Sequence, residues 1–221
     1  RRADIQAPLV LGCPASVLAR WVIPRLPQLA RDLPGLHLHW SPQEAMPDAE
    51  LSGLDAALVL QAPPWPDAWQ VHDLAPERIG PVLAKSHPAA GWLQSSAPHA
   101  LLQESLLHTS SRPQAWPDWA QRVGLNPDLL RLGTGFEHLY YLLEAASAGL
   151  GIAIAPEPLV RADIANGRLI APYGFVETRA RWLLCYRRDW ADPRLPRLAD
   201  WMRHALQDPL LRGKPEDSGK T

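Results

Sequence analysis

Short apolar runs alternate with amphipathic helical runs along nearly all of the 221 residues, and this alternation constrains the fold more than any single motif. Residues 7–13 (APLVLGC), 36–40 (LHLHW) and 55–60 (DAALVL) read as strands. Between the first two, Leu18, Trp21, Val22, Leu26 and Leu29 recur at helical spacing. Pro24 and Pro27 interrupt that run and predict a kink or a break into two segments. Residues 69–85 (WQVHDLAPERIGPVLAK) read as two extended segments with a turn at Ala75-Pro76. A second set follows, with a short helix in PHALLQE, a strand in SLLHT, a helix in PQAWPDWAQRVG and a strand in DLLRLG. Next come a helix from Phe136, a buried strand GIAIAP and a helix PEPLVRADIANG closed by Gly167. RLI and RWLLCYR are further strands, and PRLPRLADWMRHALQ is a final helix.

Such a pattern specifies an α/β fold with parallel sheets covered on both faces. Two sets of it, with RWLLCYR returning late, predict two Rossmann-like lobes joined by two crossovers. Lobe I is expected over 7–85 with 182–207, and lobe II over 86–181. Residues 1–6 read as a linker remnant and 208–221 as a disordered tail.

Composition then removes function classes. The net charge is −1 and the basic residues are scattered, so a nucleic-acid-binding surface on these residues is not expected. Cys13 and Cys185 each sit inside an apolar run and read as buried, reduced thiols. No secretory signal and no bilayer-length apolar run are read, so a cytoplasmic protein without a membrane partner is expected.

Ligands of open α/β sheets bind beyond the carboxyl ends of the strands. There the sequence places Ser16, Gln43 and Glu44, Gln61, the run Thr109-Ser110-Ser111-Arg112, the stretch from Gly133 to His138, and Pro156. These are hydroxyls, amides and helix starts, groups that hold a small polar ligand without chemistry of their own. Each also has a purely structural use. Ser16 and Ser111 read equally as helix N-caps, and Thr109-Ser110 as a turn. Thr134 and Glu137 match the S/T-x-x-E capping box at the start of the helix, which leaves His138 aimed at the cleft. Gly149 and Gly151 end that helix.

No G-x-S-x-G elbow, Walker loop or H-E-x-x-H is present, so no catalytic residue is assigned. His37 and His39 share a strand face but lack a third ligand nearby in sequence, so neither metal nor cofactor is expected. Trp116 and Trp119 read as core packing, and Arg161 and Asp163 as a solvated helix face.

Taken together, the segments ARWVIPRLPQLARDLPGLHLHW, LDAALVL, LAPERIGPVLAKSHP, LLHTSSRPQAWPDWAQRVG, FEHLYYLLEAASAGLGIAIAPEPLV and RWLLCYRRDWADPRLPRLADWM resemble the effector-binding domain of LysR-type transcriptional regulators. The likeness runs from about Pro8 to Gln207 and is nearest the subgroup regulating glycine cleavage and β-lactamase expression. It implies two lobes like those of type II periplasmic binding proteins, an effector in the cleft between them, and a homodimer or homotetramer. In full-length members an N-terminal winged helix-turn-helix binds DNA; these residues contain none. The resemblance carries Ser16, Thr109, Ser110, Glu137, His138 and Arg181 onto cleft positions. His138 stands where Ser or Thr is common, and Arg181 where an aromatic is common. Both would narrow the cleft and favour a small acidic or amino-acid-like metabolite. The alternatives are a solute-binding protein for transport, an enzyme on the same scaffold, and a lobe pair that acts through oligomerisation alone.

Overall fold

The chain enters its sheet through β1 (Leu9–Cys13), whose residues are nearly all buried, as a strand covered on both faces must be. The computed structural model describes residues 7–43, 47–190 and 192–207; the linker and tail expectations and Glu44 lie outside them. β1 pairs in parallel with β2 (Leu38–Pro42) and β3 (Ala56–Gln61). Two long strands then extend this sheet, the first of them in chain order running in the same sense as β1 and the second in the opposite sense. β4 (Trp69–Ala84) and β9 (Val176–Arg187) pair antiparallel with each other, and β9 pairs antiparallel with β3. The far end of β4 pairs antiparallel with β7 (Ala153–Pro156) and β8 (Leu169–Ile170). The resulting order is β2-β1-β3-β9-β4-β7, with β8 also on β4. β5 (Leu106–Thr109) and β6 (Leu132–Phe136) form a parallel pair, tied to the start of β7 by a bridge from Leu106 to Ile152. β4 and β9 are thus the two connections between lobes.

Their pairing also corrects the expected turn at Ala75-Pro76. β4 runs straight through it, and the register slips between Asp73 and Ala75 and between Pro76 and Arg78 instead. A proline on a strand removes one ladder hydrogen bond, and bulges absorb the loss without reversing the chain.

The prolines of the first helical run act as expected. One turn, α1 (Ala15–Val17), passes into a widened π turn (Leu18–Val22), a tight 3-10 turn (Ile23–Arg25) and α2 (Leu26–Asp32). Pro24 and Pro27 each fall in the first two positions of their segment, where a missing N–H costs no intrahelical bond. Trp21 of this run packs against Trp182 of β9, with ring centroids 6.1 Å apart.

The remaining helices are α3 (Ala90–Gln94), α4 (Ala115–Arg122), α5 (Leu139–Ser147), α6 (Glu157–Ala165) and α7 (Arg194–Gln207). PHALLQE forms a 3-10 helix over Pro98–Gln103. α7 buries Leu195, Leu198, Ala199, Met202 and Leu206, a 3.6-residue stripe. A smaller core gathers Leu101, Leu106, Trp116, Trp119 and Ile152. There Trp116 and Trp119 meet edge to face at 5.9 Å, and the Trp116 indole donates to Leu107 O at 2.8 Å. Both cysteines are buried thiols outside any disulfide, and burial pushes the Cys185 thiol up to about 12.

Three sequence expectations fail here. The glycines of GTG do not open a helix; Gly133 to Phe136 lie in β6. A Cβ at Gly135 would stand 2.6 Å from the His108 ring, and one at Gly133 would meet Ser105, so these glycines let side chains of the neighbouring strand cross. The capping box does not form: α5 starts at Leu139, its N-cap is His138 with an extended backbone, and no side chain caps it. The expected C-terminal glycine is present, with Gly149 at φ +84°. Likewise Asp163 is not on a solvated face but is buried, and it pairs with Arg20 and Arg168. Arg161 pairs with Glu157 and donates to Leu206 O.

Candidate functional site

A cavity of about 520 Å³ opens where the strand ends of one lobe face the helix starts of the other. One wall is made by the carboxyl ends of β1 and β3 and the chain after β2, which bring Cys13, Ser16, Gln43 and Gln61 together. The other wall is the turn into α4, from Ser111 to Ala115, with Asp118, Leu139, Pro156 and Leu159. The crossover strands supply the floor through Glu77 and Ala180. Much of the lining is apolar, and a few polar groups converge on it, as in sites for small organic molecules.

Of the residues expected from sequence, Ser16, Gln43, Gln61 and Pro156 line this cavity. Ser16 is buried within the first helical turn, and Pro14, not Ser16, holds the N-cap position. Gln43 donates through Nε2 to Ser41 Oγ at 2.9 Å. Gln61 Oε1 is buried without a hydrogen-bond partner.

Thr109, Ser110, His138 and Arg181 stand behind the lining. The Thr109 hydroxyl donates to Glu137 O at 2.9 Å and lies 3.0 Å from Ser111 Oγ. Together with Ser110, it fastens β5 to the chain after β6. Ser111 belongs to this turn, and Gln114 is the N-cap of α4. His138 lies beside Glu137 and Tyr141, while its neighbour Leu139 reaches the cavity. Arg181 follows Ala180 on a strand, so its side chain leaves by the opposite face, where it meets Asp73 at 2.5 Å. Neither His138 nor Arg181 is among the residues that line the cavity.

The basic residue in the lining is Arg112. Its Nη2 donates to Glu77 Oε1, and the Thr178 hydroxyl donates to Glu77 Oε2 at 2.7 Å. Glu77 is only 1% exposed, a carboxylate inside the sheet with both oxygens engaged. Asp118 lies on the same side of the cavity, where burial, reinforced by the Glu77 charge, holds its carboxyl above the usual range. Sequence reasoning placed Arg112 at a strand end but gave it no role, and it passed over Glu77 and Asp118. Glu77 gave no distinct local signal, because the same strand also carries Gln70, His72, Asp73 and Arg78.

Comparison with known proteins agrees with this architecture. The family model described as LysR substrate binding domain matches residues 2–207. The HTH-type transcriptional regulator TrpI of Pseudomonas aeruginosa is 57% identical over 206 residues, covering 93% of this chain and 70% of that protein. The glycine cleavage system transcriptional activator of Escherichia coli is 28% identical over 173 residues, 77% of this chain and 56% of that protein. The effector domain of AmpR from Pseudomonas aeruginosa superposes with a TM-score of 0.74 at 24% identity, covering 91% of this chain and 96% of that one. The regulatory domain of CrgA from Neisseria meningitidis gives 0.69 at 18% identity, over 91% and 99%.

Proposed function

This chain belongs to the LysR substrate-binding domain family, as the effector-binding regulatory domain of a LysR-type transcriptional regulator, and from that premise we propose that the interlobe cavity is its effector site. The observation that carries the reading is the convergence of Ser16, Gln43, Gln61 and Arg112 with apolar walls on one cavity between the lobes. The effector is a small acidic or amino-acid-like metabolite. Arg112, just before the uncapped start of α4, supplies the positive group for it, and a helix start adds its own partial positive charge. Thr109, Ser110 and His138 shape the wall from behind, and Arg181 braces the crossover.

Two relatives are named as HTH-type or glycine-cleavage transcriptional regulators and extend beyond the part matched here. In the regulator containing this domain, we propose that the effector acts on DNA binding by a winged helix-turn-helix, in the cytoplasm and within a homo-oligomer. The effector does so through its differential affinity for two arrangements of lobes or subunits. A transport function loses its support, because the family and the named relatives are regulators.

The test is a thermal-shift screen of organic acids and amino acids against the domain, repeated with Ala180→Trp to fill the cavity floor. At least one compound should raise the Tm of the wild type and leave that of the folded variant unmoved. If every stabilising compound acts equally on Ala180→Trp, the cavity is not the effector site.

A further inference from the structure

Behind the cavity wall the two lobes meet through charged side chains as well as apolar ones. Ser16 and Val17 line the cavity from the first helical run, Leu139 from the start of α5, and Leu159 from the first turn of α6. About one turn further along each of these elements stands an ionisable group. Arg20 lies in the π turn Leu18–Val22, Glu144 on α5 and Asp163 on α6. Arg20 Nη1 donates to Asp163 Oδ2 at 2.6 Å, and Nη2 donates to Glu144 Oε1 at 2.7 Å. One guanidinium from the lobe of β1 thus grips two helices of the other lobe.

The grip is largely out of water. The side chains of Arg20 and Asp163 are 12% and 4% exposed, and Arg20 Nε is buried without a hydrogen-bond partner, so the charge rests on its two terminal nitrogens. Around it, Val17 and Trp21 share one buried cluster with Leu142, Leu143 and Val160. Arg20 is also carried on a π turn, a rare element that is frequent at functional sites. Swinging the lobes apart about β4 and β9 would break both pairs, leave Asp163 with Arg168 alone, and wet the apolar seam.

We infer that Arg20 is an interlobe latch: its bridge from the π turn to Asp163 and Glu144 holds the lobes closed behind the cavity through contacts of the chain alone, and so fixes the distance between the cavity walls. Arg20 does not line the cavity and acts as a positioning residue. A cavity held closed in this way needs no closing step when a ligand binds. The inference concerns the lobes and not the ligand, so its failure leaves the effector reading standing.

Two native thiols read the latch. Cys13 lines the cavity between the lobes and is 1% exposed, whereas Cys185 is buried in β9 away from the lining. Lobe opening exposes Cys13 alone, and global unfolding exposes both. The experiment is iodoacetamide labelling of the folded domain at pH 8, with the rate at each thiol followed by mass spectrometry of a digest. Arg20→Met should raise the ratio of Cys13 to Cys185 labelling at least about tenfold over the wild type, because a buried ion pair is lost. Arg20→Lys keeps a charge within reach of Asp163 and should fall between the two. Glu144→Ala removes only the half-exposed partner and should raise the ratio about two- to fivefold; it reads the same step if Arg20→Met does not fold. Leu198→Ala, a destabilising change in α7 away from the latch, should not raise the ratio. A ratio that stays at its wild-type value in Arg20→Met, or in Glu144→Ala where Arg20→Met is unfolded, overturns the inference. A rise of equal size in Leu198→Ala overturns it as well.

Discussion

Removing the Asp163 carboxylate should cost this domain about 3 kcal/mol, because that group joins elements on both sides of the molecule. Asp163 lies on α6, and its side chain is 4% exposed. It accepts from Arg20 Nη1 at 2.6 Å and also pairs with Arg168. Arg20 comes from the helical run after β1, and its other nitrogen donates to Glu144 of α5 at 2.7 Å. One guanidinium therefore ties the first helical run to two helices that flank β7. Breaking a buried ion pair from one side costs about 3–5 kcal/mol, mostly from the charge left behind. The lower end applies here. Arg168 is largely solvated, and Arg20 keeps the half-exposed Glu144. For a domain of this size about 3 kcal/mol corresponds to a Tm loss of about 6–12 °C. The assay is thermal and urea unfolding of Asp163→Ala, Arg20→Met and the double variant at neutral pH. The double variant should be no less stable than Asp163→Ala alone, giving a coupling of at least about 1 kcal/mol. A Tm loss for Asp163→Ala below about 2 °C, or strictly additive effects, would refute the argument.

Gly80 of β4 faces the carbonyl of Gly174, and an added Cβ would stand 2.0 Å from that oxygen. Backbone must then move, so Gly80→Ala should destabilise by about 1–3 kcal/mol, read as a lower urea midpoint; an unchanged midpoint contradicts the packing. The His72 imidazole is held below its ordinary range, first by burial and then by the Arg203 charge, while Asp200 opposes the shift. The unfolded chain then binds more protons than the folded one just below pH 6.5, so stability should fall as pH drops through that value. His72→Gln should flatten this part of the profile in urea titrations at pH 7 and pH 5.5, and a profile identical to the wild type refutes it. With its thiol pushed up to about 12, Cys185 should resist alkylation at pH 8 in the folded domain and react on unfolding; fast labelling of Cys185 in the native state contradicts its burial.

The sequence made the alternation of strands and helices legible, and with it the two lobes, because burial on both faces leaves continuous apolar runs such as LVLGC and AIAP. It misled at GTG. Glycine weakens strands in general, and here it is required by the His108 and Ser105 side chains of a strand more than twenty residues away. The capping box failed for the same reason: Thr134 is drawn into β6, so the helix starts five residues later, at Leu139. Ser16, Gln43, Gln61 and Pro156, singled out by their places after strands, line the cavity. Alternation along a strand decides which of two neighbours faces the cavity, and it chose Ala180 over Arg181. The Glu77–Arg112–Thr178 clamp joins three distant segments, and no local pattern encodes such a meeting.

The most direct test of the account is a nuclear magnetic resonance titration of the domain with the most stabilising compound of the thermal-shift screen, following backbone and side-chain amide shifts. The account predicts saturable changes concentrated at Ser16, Gln61, Ser111 to Ala115 and Ala180, and their loss in Ala180→Trp. Changes confined to the outer surface, or none at a saturating concentration with the cavity residues assigned, would contradict it.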